Sequence, residues 1–286
     1  MNIDRVAWTG LPVEARGAVA GRLGVEFVAA DTRAGANCGV SAVLTLLDGR
    51  TVFVKGQRGR DPVPAADGAN QDPKGWWGPT WAPVDELAQE ERINPFLPAS
   101  APRVLWRLAA AGWHLLAFEG VGGRHADYAP GSPDLPLVMD ALAEVARCPT
   151  PALALPTAWD RWGYWCDPAD EPFLAGACLM HTDPAACNVL VDGDRARLVD
   201  WAWPALGPAW IDPVLWGMRL VSAGGHTPEQ ARAWASRTPG WRTATPRGVR
   251  AFTGAEARRW EEDAADGVRG AAEIAPSARA WAEVWA

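Results

Sequence analysis

The chain has 286 residues, 49% of them hydrophobic and 21% charged, which is enough apolar material for one large core or two modest ones. Its 27 basic and 34 acidic residues leave a net charge of −7, which excludes general affinity for nucleic acid or anionic membranes and is compatible with a cationic small-molecule partner. No apolar run approaches the ~18 residues of a membrane span, and the first residues carry no leader-like stretch.

Residues 12–23, "PVEARGAVAGRL", have apolar spacing near the helical period. Strand-like runs follow at 25–31 and 39–57, the second interrupted by Asp48-Gly49, a hairpin signal between apolar segments. Residues 58–84 are rich in Gly and Pro and show no period, so they are expected to form a long loop inserted between elements. "VDELAQEERINPFL" (84–97) predicts a helix that stops around Pro95. Two further strands are expected on either side of Gly112, ending in the Gly-rich link 120–124.

Beyond that link the pattern turns helical. A helix is expected over 135–148, then a tight hairpin over 189–201 around Asp192-Gly193, then a run of C-terminal helices. The resulting expectation is an α+β chain divided at 119/120, with a sheet-dominated front (1–119, carrying the 58–84 insertion) and a helical back (120–286). The five cysteines form no C-x-x-C pair and read as reduced thiols in a cytoplasmic protein. Eighteen tryptophans imply an indole-rich core, with some rings available to a pocket that handles rings or sugars.

The chemistry concentrates in "LMHTDPAACNVLVDGDRARLVDWAW" (179–203). Asp183 and Asn188 sit five residues apart in a loop between apolar runs, and Asp200 lies twelve residues further on, at the end of the predicted hairpin. Phosphoryl transfer asks for this kind of set: a carboxylate to orient the attacking hydroxyl, and an amide oxygen and a second carboxylate to hold Mg²⁺ on the phosphates. His181 reads as a support of the loop. A metal-dependent hydrolase using the two aspartates is a competing reading, one that would not require a lysine upstream.

These motifs resemble the aminoglycoside phosphotransferase family, small-molecule kinases with a bilobal protein-kinase-like fold, over roughly residues 30–220. "HTDPAACNVLV" resembles the family's catalytic loop, "LVDWAW" its metal-binding segment and "GPAWIDPVLWG" the segment that follows, which makes Asp212 a structural aspartate. The resemblance implies ATP (or GTP) and Mg²⁺ as cofactors, with Asp183 catalytic and Asn188 and Asp200 on the metal. It further implies that Lys55 contacts the α/β-phosphates and that a glutamate of 84–97 holds the lysine; Glu90 aligns best, with Glu86 and Glu91 as alternatives. Gly35, Asn37 and Gly39 would form the nucleotide loop, and the backbone around Glu119–Val121 would meet the adenine.

Where the family often has "HGDxHPGN", this chain has Thr182, Pro184, Ala185, Ala186 and Cys187. "KGWWGPTW" in the insertion is read either as a lid or as surface packing. For the acceptor, Asp160 and Asp167 are candidates to face a cationic substrate, and Trp162 and Trp165 to stack on a ring. The implied activity is transfer of the γ-phosphoryl group to a hydroxyl of an aminoglycoside or other antibiotic, in resistance or in metabolism. The alternative is a kinase-like nucleotide-binding module with little transfer activity.

Overall fold

A computed structural model describes residues 5–32, 38–59 and 82–286. The chain forms two compact units. One gathers the described residues up to 122 together with 199–202, and the other holds 123–198 and 203–286.

The first unit is built on a five-stranded antiparallel sheet. Helix α1 (Val13–Leu23) precedes strands β1 (Phe27–Asp31), β2 (Val40–Leu46) and β3 (Thr51–Arg58); helix α2 (Pro83–Ile93) precedes β4 (Val104–Ala110) and β5 (Trp113–Glu119). The spatial order is β1-β2-β3-β5-β4. The β2–β3 hairpin turns at Asp48-Gly49, where Gly49 adopts φ +84°, a conformation that costs glycine nothing. Side chains alternate across β3 and β5, so the sheet has two apolar faces. Val52, Val54, Leu115 and Ala117 pack with Val19 of α1 and with Trp8 and Leu11. Phe53, Leu116 and Phe118 pack with Leu87 of α2. Lys55 has the parity of Phe53, which directs it to the α2 side, opposite Leu116 in the strand register.

The second unit begins with β6 (Arg124–His125) and α3 (Asp134–Val145), followed by the short helices α4 (Ala158–Trp162) and α5 (Glu171–Leu174). Strand β7 (Cys178–Met180) leads to β8 (Val189–Asp192), β9 (Arg195–Leu198) and β10 (Ala205–Gly207). Strands β6, β8 and β9 form one small antiparallel sheet, and β7 pairs with β10. Four helices complete the unit: α6 (Ile211–Ser222), α7 (Pro228–Ala235), α8 (Pro246–Ala265) and α9 (Ala271–Glu283).

Its core is aromatic. The Trp162 and Phe252 rings meet edge to face at 4.9 Å, Trp210 joins Phe252 at 5.8 Å, and Trp216 packs on Tyr128 and Trp234. Each large apolar side chain fully buried in this way contributes about 1.5–3 kcal/mol. Gly217 lets α6 meet α9 closely, because a Cβ there would fall 2.6 Å from the Trp281 ring. Among the described residues, no helix is long and apolar enough to cross a membrane.

Candidate active site

The candidate site residues gather in two polar centres, one in each unit. In the sheet unit, the Lys55 ammonium is buried, 4% exposed, between two carboxylates from distant parts of the chain. Its Nζ lies 2.5 Å from Glu90 Oε2 and 2.7 Å from Asp200 Oδ1. Burial works against the charge on Lys55, but the carboxylates of Asp200 and Glu90 outweigh it and hold the pKa well above the ordinary lysine range.

The three candidate glutamates on α2 now separate. Glu90 pairs with Lys55, whereas Glu91 turns to Arg107 at 3.2 Å. Glu86, one helical turn before Glu90, is pushed up to about 8, chiefly by burial. Burial raises the pKa of Glu90 to about 7, against the pull of Lys55. Asp200 reaches it from a left-handed backbone conformation, φ +66°, which Asp tolerates better than most residues.

The second centre is the loop 181–188 of the helical unit, and its backbone is tightly held. Asp212, in the first turn of α6, accepts from His181 N at 2.7 Å and from Thr182 N at 2.8 Å. Burial raises the pKa of Asp212, against the pull of His181 and of the two backbone N–H groups. Thr182 stands at φ +73°, an unusual state for a β-branched residue. Its hydroxyl donates to Trp203 O at 2.7 Å and accepts from Arg161 at 2.5 Å, so side-chain bonds maintain a turn that a glycine would adopt unaided. His181, 1% exposed, accepts from Asp183 N at 3.3 Å, and Tyr128 donates its hydroxyl to Pro184 O at 2.9 Å.

Within this frame the Asp183 carboxylate is aimed from both sides. Arg219 Nη2 lies 2.7 Å from Oδ1, and Asn188 Nδ2 donates to Oδ2 at 3.0 Å and to the Asp183 carbonyl at 3.1 Å. With its NH₂ spent on Asp183, the Asn188 amide turns its oxygen to the Cys187 thiol, which donates to it at 3.7 Å; an amide oxygen is also a suitable ligand for a hard cation. Among the described residues no group of three His, Cys, Asp or Glu side chains is arranged to hold a metal ion.

Three residues of the loop's frame carried no motif: Arg161, Arg219 and Tyr128. For Arg219 a signal existed. Asp212 and Arg219 are the charged residues of the otherwise apolar α6, and they stand seven apart, on one face; both reach the same loop.

Other expected site residues are placed differently. Trp162 is 1% exposed and spends its indole N–H on Glu256; Trp165 is 7% exposed and donates to Glu262. Both indoles are thus buried against α8. Asp160 closes a capping box with Thr157 at the start of α4, and Asp167 caps the next turn through Ala169 N. Local backbone therefore claims these two carboxylates. Gly39 is a wall of the sheet unit: its N–H meets Gln57 Oε1 at 3.1 Å and its carbonyl accepts from Val6 N at 2.8 Å, so it does not offer its backbone to phosphate.

At the end of β5, Glu119 N bonds to Arg103 O, while among the described residues nothing hydrogen-bonds the backbone of Val121. Gly35, Asn37 and the "KGWWGPTW" segment lie outside the described residues.

No family model and no curated protein matches the sequence. Solved structures do. A thermostable mutant of aminoglycoside phosphotransferase APH(4)-Ia aligns with 94% of this chain and 98% of its own, at 15% identity and a TM-score of 0.59. Choline kinase LicA from Streptococcus pneumoniae aligns with 94% of this chain and 99% of its own, at 10% identity and a TM-score of 0.56. Amicoumacin kinase hAmiN, solved with AMP-PNP, Ca²⁺ and Ami, aligns with 94% of this chain and 92% of its own, at 12% identity and a TM-score of 0.53. The chain therefore has the α+β, protein-kinase-like fold of the small-molecule kinases typified by the aminoglycoside phosphotransferases.

Proposed function

We propose that the protein is an ATP-dependent phosphotransferase that moves the γ-phosphoryl group to a hydroxyl of a small molecule. The observation that carries this reading is the buried Lys55 held between Glu90 and Asp200. A buried ion pair is a poor source of stability, because desolvation consumes most of the attraction. An amine fixed on a strand, a glutamate on the helix behind it and an aspartate brought from 145 residues away instead match the phosphate-anchoring set of a kinase. The hydrolase reading gives no account of that lysine.

In this reading Lys55 binds the α/β-phosphates, and Glu90 keeps the amine in place. Asp200 and the amide oxygen of Asn188 would hold Mg²⁺, which takes its remaining ligands from phosphate and water and neutralises phosphate charge. Asp183 orients the acceptor hydroxyl, and Val121 offers unbonded backbone to the nucleobase. His181 and Asp212 shape the loop.

The structures with similar folds include one with ADP and hygromycin B and one with AMP-PNP, Ca²⁺ and Ami. They support a nucleotide, a divalent ion and an antibiotic or amino-alcohol acceptor here. The test is incubation with Mg·ATP and a panel of aminoglycosides, other hydroxylated antibiotics, amino alcohols and sugars, read by mass spectrometry. Addition of one phosphoryl group to an acceptor, abolished by Asp183→Asn, is the expected result. Nucleotide binding with no modified acceptor and no ADP release would overturn the reading and leave a binding module.

A further inference from the structure

In the helical unit, the Asp183 carboxylate is 42% exposed, whereas its partner Arg219 is 15% exposed and fixed within α6. An exposed carboxylate alone would swing among rotamers. Arg219 removes that freedom, and Arg219 is itself held. Its guanidinium lies over the Trp260 ring at 5.2 Å, Arg259 lies over the same ring at 4.3 Å, and the Trp260 N–H is tied to buried Glu256 at 3.0 Å. Trp260 therefore sits in a rigid stack on α8, and the stack orients Arg219 toward the loop. Each carboxylate oxygen of Asp183 has two lone pairs. Arg219 takes one on Oδ1 and Asn188 one on Oδ2, which leaves one on each oxygen for an incoming hydroxyl.

We propose that Arg219 is the positioning residue of the transfer step: a guanidinium clamped by Trp260 that fixes the rotamer of Asp183 and so aims its unused lone pairs at the acceptor hydroxyl. This rests on the phosphotransferase reading above. Arg219 acts through Asp183 and is assigned no bond to nucleotide. Its loss therefore lowers turnover and leaves nucleotide affinity alone. A lysine is a poor substitute, because it offers a mobile point charge where the site uses a planar fork.

The test compares wild type with Arg219→Ala, Arg219→Gln and Arg219→Lys. ADP release from Mg·ATP is measured with hygromycin B, with choline and with water as acceptors, alongside Mg·ATP affinity by calorimetry and thermal melting. Turnover is expected to fall about 10²-fold in Arg219→Ala and Arg219→Gln, the size of effect a misplacement of about 1 Å produces. Affinity for Mg·ATP stays unchanged, and Arg219→Lys recovers only part of the turnover. Guanidinium at millimolar concentration restores part of the activity of Arg219→Ala, a rescue that a general packing defect would not show.

Wild-type turnover matched by Arg219→Ala would overturn this inference and leave the phosphotransferase reading standing. So would parallel losses of melting temperature, nucleotide affinity and turnover without guanidinium rescue. A wild type that releases no ADP with any acceptor would overturn the reading itself, and the role of Arg219 with it.

Discussion

The two polar centres solve the same problem, holding a charged group in place, by opposite means. In the sheet unit, Lys55 is 4% exposed and is held by opposite charge in a dry place. In the helical unit, Asp183 is 42% exposed and is held by the shape of its loop, in which Asp212, Tyr128 and Thr182 fix the backbone while Arg219 and Asn188 fix the side chain. Charge burial couples a site to global stability, because an unpaired charge in the interior is expensive. A pinned, half-exposed loop uncouples them. Substitutions in the first centre should therefore register in both folding and turnover, and those at Asp183 in turnover alone.

The largest expected effect is on turnover at Asp183. Asp183→Asn keeps an oxygen to accept from Arg219 but removes the negative charge that orients the acceptor hydroxyl. Phosphoryl transfer should fall about 10²–10⁴-fold, with stability changed little, because the amide oxygen still accepts from Arg219. Steady-state kinetics and urea unfolding check both halves. An Asp183→Asn protein that unfolds markedly more easily would erase the contrast between the centres.

Lys55→Ala should lower stability as well as turnover. The buried Glu90 carboxylate remains without its ammonium, a change that typically costs about 3–5 kcal/mol. Urea titration measures the loss, and adding Glu90→Leu should recover part of it. Full stability in Lys55→Ala would mean that the centre is wetter than its burial implies.

The same contrast explains what was legible in the sequence. The sheet unit's strands and helices follow from periodicity and turn residues: Asp48-Gly49 marks the β2–β3 hairpin, and Pro95 marks the end of α2. The loop with Asp183 and Asn188 was visible because local spacing sets its chemistry. What could not be read were the long-range partners. Glu86, Glu90 and Glu91 look alike in a helical sequence, and only the packing of α2 decides that Glu90 meets Lys55 while Glu91 meets Arg107. Trp162 and Trp165 are equally ambiguous as text, since an indole serves a core and a pocket alike. The residues that settle the matter, Glu256 and Glu262, lie some ninety residues away on α8. Thr182 is the instructive case. Its φ of +73° is unexpected for a β-branched residue, and only the hold of Arg161 and Trp203 on the hydroxyl, both distant in sequence, accounts for it.

A smaller effect tests the pinning of that loop. Asp212→Asn leaves one acceptor oxygen where two backbone N–H groups, those of His181 and Thr182, now bond. One N–H loses its partner in a buried place, at a cost of about 1–3 kcal/mol. Turnover should fall too, because the frame of Asp183 loosens, so this variant is the one in the helical unit that moves both readouts. Denaturant unfolding together with kinetics on Asp212→Asn checks it, and a change confined to one readout would separate the loop's fold from its function.

A further effect is a pH dependence confined to the sheet unit. Burial pushes Glu86 from its ordinary 4.5 up to about 8 in the folded chain. Below pH 4.5 the group is protonated in both folded and unfolded states, and its contribution to stability is fully present. As pH rises from 4.5 toward 8 the unfolded chain releases the proton while the folded chain keeps it, so stability falls across that window and levels off above it. Glu86→Gln has no proton to lose. Its melting temperature should match wild type at the acid end and exceed it increasingly toward pH 8, with nucleotide and metal left out of both samples. Melting curves collected through the window for both proteins give the difference directly. A gap that stays constant with pH would show that Glu86 is already ionised beside Lys55, and that the sheet unit's centre carries three charged carboxylates around one ammonium.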